Sequence, residues 1–132
     1  ISRGGYIVYG DSPNPDAILI ATGSEVSISV SAAEQLKIKG VNIRVISMPC
    51  QEVYERQTLA YKTKCIPKNF DNILAIESGI GDSWHKFVGK KGAMISMGSF
   101  GLSGTGSDVM SHFGFSVSNI KKNINKLIKK NR

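Results

Sequence analysis

The 132-residue chain has little of what usually declares a chemistry. Its two cysteines, Cys50 and Cys65, lie fifteen residues apart with no second pair. That excludes a zinc knuckle, a thiol-redox motif and a small disulfide-stapled scaffold, and it fits a reducing, cytoplasmic setting. Its two histidines, His85 and His112, have no second histidine or carboxylate at ligand spacing, so each reads as a packed or surface residue. The longest purely aliphatic run, Ala17 to Ala21, falls far short of the roughly 20 residues a membrane span needs. No G-x-S-x-G nucleophile elbow is present, and neither cysteine has a histidine close by in sequence. Acid is missing from residues 116–132, which carry Lys121, Lys122, Lys126, Lys129, Lys130 and Arg132.

That last gap explains the net charge of +7. Residues 1–115 hold 11 basic and 10 acidic side chains, so the basic character belongs to one C-terminal element. Val117, Ile120, Ile124, Leu127 and Ile128 recur there at i, i+3, i+4 spacing, predicting an amphipathic helix from about residue 119 with a solvated lysine face. Nucleic-acid binding would want aromatics or arginines among the lysines, and only Arg132 is there. With 41% hydrophobic and 20% charged residues, the remainder reads as one soluble globular domain over 1–132. The chain opens at Ile1 without a methionine or a charged-then-apolar leader, which we read as a piece of a longer protein.

Strands and helices alternate along it. Tyr6–Tyr9 is a short strand signal, closed by Gly10 and a breaker cluster through Asp16. Ala17–Ala21 is a continuous apolar run, the pattern of a strand buried on both faces. Thr22-Gly23-Ser24 turns the chain into a helix carrying Val26, Val30, Ala33 and Leu36, which Gly40 ends. Val41–Met48 is the next strand, stopped by Pro49, and Gln51–Cys65 reads as one or two short helices. A strand at residues 73–76, a short helix from Asp82 through Val88 and a strand at 93–97 follow. A glycine-rich connection and a short helix at Ser107–Phe113 lead to the final helix. This order predicts an α/β fold with a largely parallel sheet. The first two strands are joined too tightly for a parallel crossover, so the first is expected to run antiparallel to the second.

The chemistry-bearing candidates are few. Thr22-Gly23-Ser24 sits where a strand meets a helix, a place that favours an anion. A dinucleotide site would need three glycines here and an acid ending the next strand, which ends in Ser47. A capped helix start explains the residues better. Gly98, Gly101, Gly104 and Gly106 follow a strand, but no Gly-Lys-Ser/Thr completes a P-loop. Gly81-Asp82-Ser83 lacks the second glycine of a thiamine diphosphate metal motif. Glu77, with Ser78 after it, ends a buried strand, where open α/β sheets place ligand groups. None of these amounts to a catalytic constellation.

Six stretches, in order and spanning nearly the whole chain, resemble the C-terminal domain of transketolase. They begin with Arg3-Gly4-Gly5-Tyr6 and Leu19-Ile20-Ala21-Thr22-Gly23-Ser24-Glu25-Val26. Arg44-Val45-Ile46-Ser47-Met48-Pro49 follows, with Tyr54, Gln57 and Tyr61 at family spacing. Ala75–Ile80 with Asp82–Gly89, then Met97–Ser103, then His112–Val117 complete the series. Deoxyxylulose-phosphate synthases and two-oxoacid dehydrogenase β subunits share this kind of domain but lack the Met-Pro-x4-Tyr-x2-Gln-x3-Tyr pattern. Gly104-Thr105-Gly106 departs from the family's usual helix start.

The resemblance implies a three-layer α/β/α domain with a five-stranded mixed, mostly parallel sheet. Its first strand would be antiparallel at an edge, beside the third strand and not the second. The exits of the second and fourth strands would then flank a topological switch point, making Thr22, Gly23, Ser24, Glu77 and Ser78 candidates for an anion or interface site. The resemblance also implies a parent enzyme that transfers a two-carbon ketol unit between sugar phosphates. That enzyme would use thiamine diphosphate and a divalent cation, magnesium or calcium, as a cytoplasmic homodimer. This chain carries none of the family's cofactor, metal or sugar-phosphate residues. It is therefore expected to be an accessory domain that docks on the preceding domains and the second subunit. With no catalytic residue of its own, it should be inactive alone and bind neither nucleic acid nor membrane. The competing expectation is a stand-alone regulatory module that binds phosphate or a nucleotide at the switch point.

Overall fold

The computed structural model describes residues 3–10, 12–23, 25–77, 85–96 and 116–132. Five strands form one sheet: β1 (Tyr6–Tyr9), β2 (Ala17–Ala21), β3 (Ile43–Ser47), β4 (Ile73–Glu77) and β5 (Ala93–Ser96), in the order β1-β3-β2-β4-β5. The pairs β2/β3, β2/β4 and β4/β5 are parallel, and β1 lies antiparallel against β3 at an edge. The expected orientation of β1 relative to β2 therefore holds, with β3 interposed between them as the resemblance implies. A bulge between Ile7 and Tyr9 shifts the β1 register.

Every residue of β2 and β3 is buried, because these strands have neighbours on both sides and helices on both faces. Alternation sorts their side chains into two cores. Ala17, Leu19, Ala21, Val45, Leu74 and Ile76 point to one face and meet Ala32, Ala33 and Leu36 of α1 (Glu25–Ile38) with Ile120, Ile124 and Leu127 of α5 (Val117–Lys130). Ile18, Ile20, Ile46, Met48, Ile73 and Ala75 point to the other. They meet Tyr54 of α2 (Gln51–Glu55), Cys65 of α3 (Leu59–Cys65), and Phe87 and Val88 of α4 (His85–Val88). The chain moves outward from β2 to β3, then back across β2 to β4. With crossovers of constant hand, that reversal puts α1 and α2–α3 on opposite faces.

Two details depart from the sequence expectation. The fully buried face of α1 is Glu25, Ser29, Ala32, Ala33 and Leu36, whereas Val26 and Val30 are half-buried. Small residues at 29, 32 and 33 let the helix backbone approach the sheet, so bulk does not decide which side faces in. Ser29 satisfies its buried hydroxyl by donating to the Glu25 carbonyl (2.8 Å). The final helix starts at Val117, two residues before the expected point, because the Ser116 hydroxyl caps it by accepting from the Asn119 amide (3.2 Å). Gly40 ends α1 as expected, at φ +83°, with the Val41 amide bonded to the Leu36 carbonyl and the Gly40 amide to that of Lys37. The expected helix at 107–113 and the glycine-rich connection lie outside the described residues.

The end of the sheet where the parallel strands begin is stitched by side chains. The Asn42 amide donates to the Asp16 carboxylate (2.7 Å) and Asn72 Nδ2 to the Asp16 carbonyl (3.0 Å). Asn131, just after α5, donates to Asn72 Oδ1 (2.8 Å) and to the Lys91 carbonyl (3.0 Å).

Candidate functional site

The opposite end of the sheet carries the candidate residues. Ala21 pairs with Ser47 on one side and with Ile76 on the other, so Thr22, the first residue after β2, lies beside Glu77, the last residue of β4. The topology therefore brings Thr22, Gly23 and Glu77 to the switch point; Ser24 and Ser78 lie outside the described residues, as does the side chain of Glu77.

The local geometry there is already self-satisfied in part. Gly23 adopts φ +57° with open space around its α-carbon, and the amides of Glu25 and Val26 donate to the Thr22 and Gly23 carbonyls (3.2 Å each). Glu25 itself is buried, 2% exposed, in the first turn of α1. An acidic side chain in the first turn suits the positive helix end. Sequence reasoning passed over Glu25 because a charged residue after a cap normally faces water; only the packing of α1 turns it inward.

Beside this edge the family-spaced residues converge. Arg3 lays its guanidinium over the Tyr61 ring, 4.5 Å from the centroid, and Tyr61 Oη donates to the Gly5 carbonyl (2.8 Å). The Tyr61 ring meets Tyr54 edge-on at 6.4 Å, and Tyr54 meets Phe87 the same way at 5.9 Å. Tyr54 Oη donates to the Lys62 carbonyl (3.2 Å), and the Cys50 amide donates to that of Gly4 (3.0 Å). Gly4 and Gly5 are there because nothing larger fits: a β-carbon would collide with the Cys50 carbonyl and the Tyr54 amide at Gly4, and with the Met48 side chain at Gly5. Gln57 stays local, donating to the Val53 carbonyl (2.9 Å). Burial pushes the Tyr54 hydroxyl well above the ordinary tyrosine range. Tyr61 is raised too, chiefly by burial, with the Arg3 guanidinium opposing.

The family model of the transketolase-like TK C-terminal domain matches residues 4–116. The chain belongs to that family. Transketolase 1 of Vibrio vulnificus (strain YJ016) is 41% identical over 128 residues, 97% of this chain and 19% of that protein. Among solved structures, transketolase from Leishmania mexicana superposes with a TM-score of 0.86 at 30% identity, covering 97% of this chain and 18% of its own. Transketolase of Pichia stipitis in complex with sedoheptulose-7-phosphate gives 0.86 at 29% identity, covering 98% and 18%. The chain thus spans about a fifth of the length of the transketolases it matches.

For a transketolase C-terminal domain, the remaining candidates fall into place as parts of the fold. Cys65 is buried in the core beside Arg44, and Cys50 starts α2; both are free thiols. His85 opens α4, with its side chain outside the described residues, as all of His112 is. Among the described residues no three His, Cys, Asp or Glu side chains are grouped to hold a metal ion, and no helix is long and apolar enough to cross a membrane. On α5, Lys122, Lys126, Lys129 and Lys130 are exposed opposite the buried Ile120, Ile124 and Leu127.

Proposed function

We propose that the chain serves as the C-terminal, docking domain of a longer transketolase, one that transfers a two-carbon ketol unit from a ketose phosphate to an aldose phosphate in the pentose phosphate pathway. The observation that carries this reading is co-linear similarity over 97% of the chain with only 19% of a transketolase. Thiamine diphosphate and its divalent cation, magnesium or calcium, supply the chemistry of ketol transfer. The described residues offer that cation no ligand set. We assign both groups to the remainder of the enzyme, a cytoplasmic homodimer, because this chain matches only about a fifth of a transketolase's length. Its other domains are the first partner of this one, and the second subunit is the next.

In this reading Thr22, Gly23, Ser24, Glu77 and Ser78 form a docking edge and not an anion site. Two first-turn amides of α1, those of Glu25 and Val26, already have backbone acceptors. The same occupied amides weigh against a stand-alone phosphate- or nucleotide-binding module at the switch point.

The test is an exchange. The chain, supplied with thiamine diphosphate and magnesium, is expected to show no ketol transfer. Replacing the corresponding C-terminal segment of the Vibrio vulnificus relative with this chain is expected to keep that enzyme dimeric and active. Ketol transfer by the chain alone, or a chimera that folds but neither dimerises nor turns over, would overturn the reading.

A further inference from the structure

The two faces of the sheet are covered unequally. On one, α1 and α5 have 14 residues each, about 21 Å of helix apiece, and the lysines of α5 turn outward. Among the described residues the large hydrophobic exposed on that face is Ile38, which stands between Lys37 and Lys39. On the other face the described helices α2, α3 and α4 have five, seven and four residues. Between these short helices lies an open groove of about 320 Å³. Tyr54 and Phe87 are its nearly buried rings, Ile66 is half-buried, and Leu59 stands 76% exposed at its rim with Lys62 and Lys68 nearby. A contiguous apolar surface rimmed by polar side chains marks a protein-contact site, which singly scattered apolar residues do not.

Leu59, Lys62 and Ile66 follow helical spacing, so one wall of the groove is a single stripe of α3. That helix runs against β3. Near its start Tyr61 reaches the carbonyl of Gly5 (2.8 Å), and Gly5 precedes Tyr6, which pairs with Ser47 at the end of β3. Its last turn meets the beginning of β3, where Arg44 donates to the carbonyls of Lys64 (3.0 Å) and Cys65 (2.9 Å). Leu59 therefore lies toward the end of the sheet where Ser47 pairs with Ala21 and Thr22 follows, and the groove leads away from that edge.

The chain spans 19% of the length of a transketolase it matches, so in the docking reading the rest of such an enzyme meets one of its surfaces. The lysine-studded face suits water; the grooved face suits a partner. Resting on that docking reading, we propose that an apolar segment of the adjoining domains of the same enzyme seats in this groove, over Leu59, Tyr54 and Phe87. The docking surface then runs from the switch-point edge down α3.

Hydrogen exchange in the chain and in the Vibrio vulnificus chimera tests it. Amides of residues 59–68 should exchange at least about tenfold more slowly in the chimera, with residues 121–130 unchanged. Leu59 is exposed, so Leu59→Asp should leave the thermal midpoint of the chain where it was. In the chimera the same change should bring back the fast exchange and lower the midpoint. Lys126→Asp, on the lysine face, should not bring it back. Replacing Leu59 by benzoylphenylalanine should give photocrosslinks within one chain of the chimera. A dimeric, active chimera with unchanged exchange at 59–68, or with Leu59→Asp harmless, overturns the groove and spares the docking reading. Crosslinks between two chains, or slowing in the chain alone as its concentration rises, also overturn it, because the second subunit or a second copy is then the occupant. A folded chimera that neither dimerises nor turns over brings down both.

Discussion

Arg3 and Tyr61 are 58 positions apart in sequence yet stack at 4.5 Å, the guanidinium over the ring whose hydroxyl holds the Gly5 carbonyl. This contact ties the segment leading into β1 to α3 on the far side of β3.

Tyr61→Phe removes only the hydroxyl that donates to Gly5. It should lower stability by about 1 kcal/mol, the usual net worth of such a bond. Arg3→Ala should cost about 0.5–1 kcal/mol through the lost stacking. In urea unfolding the two effects should be less than additive when combined, because both act on the same ring.

Alkaline pH should loosen the same cluster. Burial raises both Tyr54 and Tyr61, so the folded state holds these protons more tightly than the unfolded chain. Their contribution is fully present below the unfolded tyrosine value of about 10 and is lost as pH rises through the higher folded values. Unfolding free energy should fall steadily above that point, tracked by tyrosinate absorbance. Tyr54→Phe should flatten the fall.

Two glycines with similar φ should respond differently to alanine. At Gly40 (φ +83°) there is open space, so Gly40→Ala should cost about 1 kcal/mol from backbone strain alone. At Gly4 (φ +77°) a β-carbon also meets the Cys50 carbonyl and the Tyr54 amide, so Gly4→Ala should cost more than about 2 kcal/mol. Thermal melts of the two variants separate strain from collision.

The lysine face of α5 should be dispensable for folding, while its other face is not. Lys122→Glu with Lys126→Glu should change stability by no more than about 0.5 kcal/mol. Ile124→Ala, at a fully buried position, should cost about 2–5 kcal/mol. Deleting the helix would uncover the core, so salt-dependent association with nucleic acid is properly tested by the charge reversals. No such association is expected.

Much of the fold was legible in the sequence. Ala17–Ala21 declares a strand buried on both faces because no polar residue interrupts it, Gly40 marks a helix end, and the 3.6-residue spacing of α5 names its buried side in advance. The spaced motifs from Arg3 to Tyr61 identified the family, although their reason for existing was hidden. Arg3, Gly5, Tyr54 and Tyr61 belong together only because β1 pairs with β3 and α3 packs beneath them.

The sequence by itself determined which of the described segments are strands and helices and which domain family they compose, since periodicity and turn residues act over a few positions. Tertiary structure alone decided the rest. It placed β3 between β1 and β2 and turned Glu25 inward on a small-residue face. It joined Asp16, Asn42, Asn72 and Asn131 across four segments and sealed Arg44 under α3. Each of these joins groups far apart in the chain, and such contacts are chosen by the shape and polarity of the packed whole, which no local pattern records. The lysines that carry the net charge belong to the first class and are solvated. The one arginine that is buried belongs to the second.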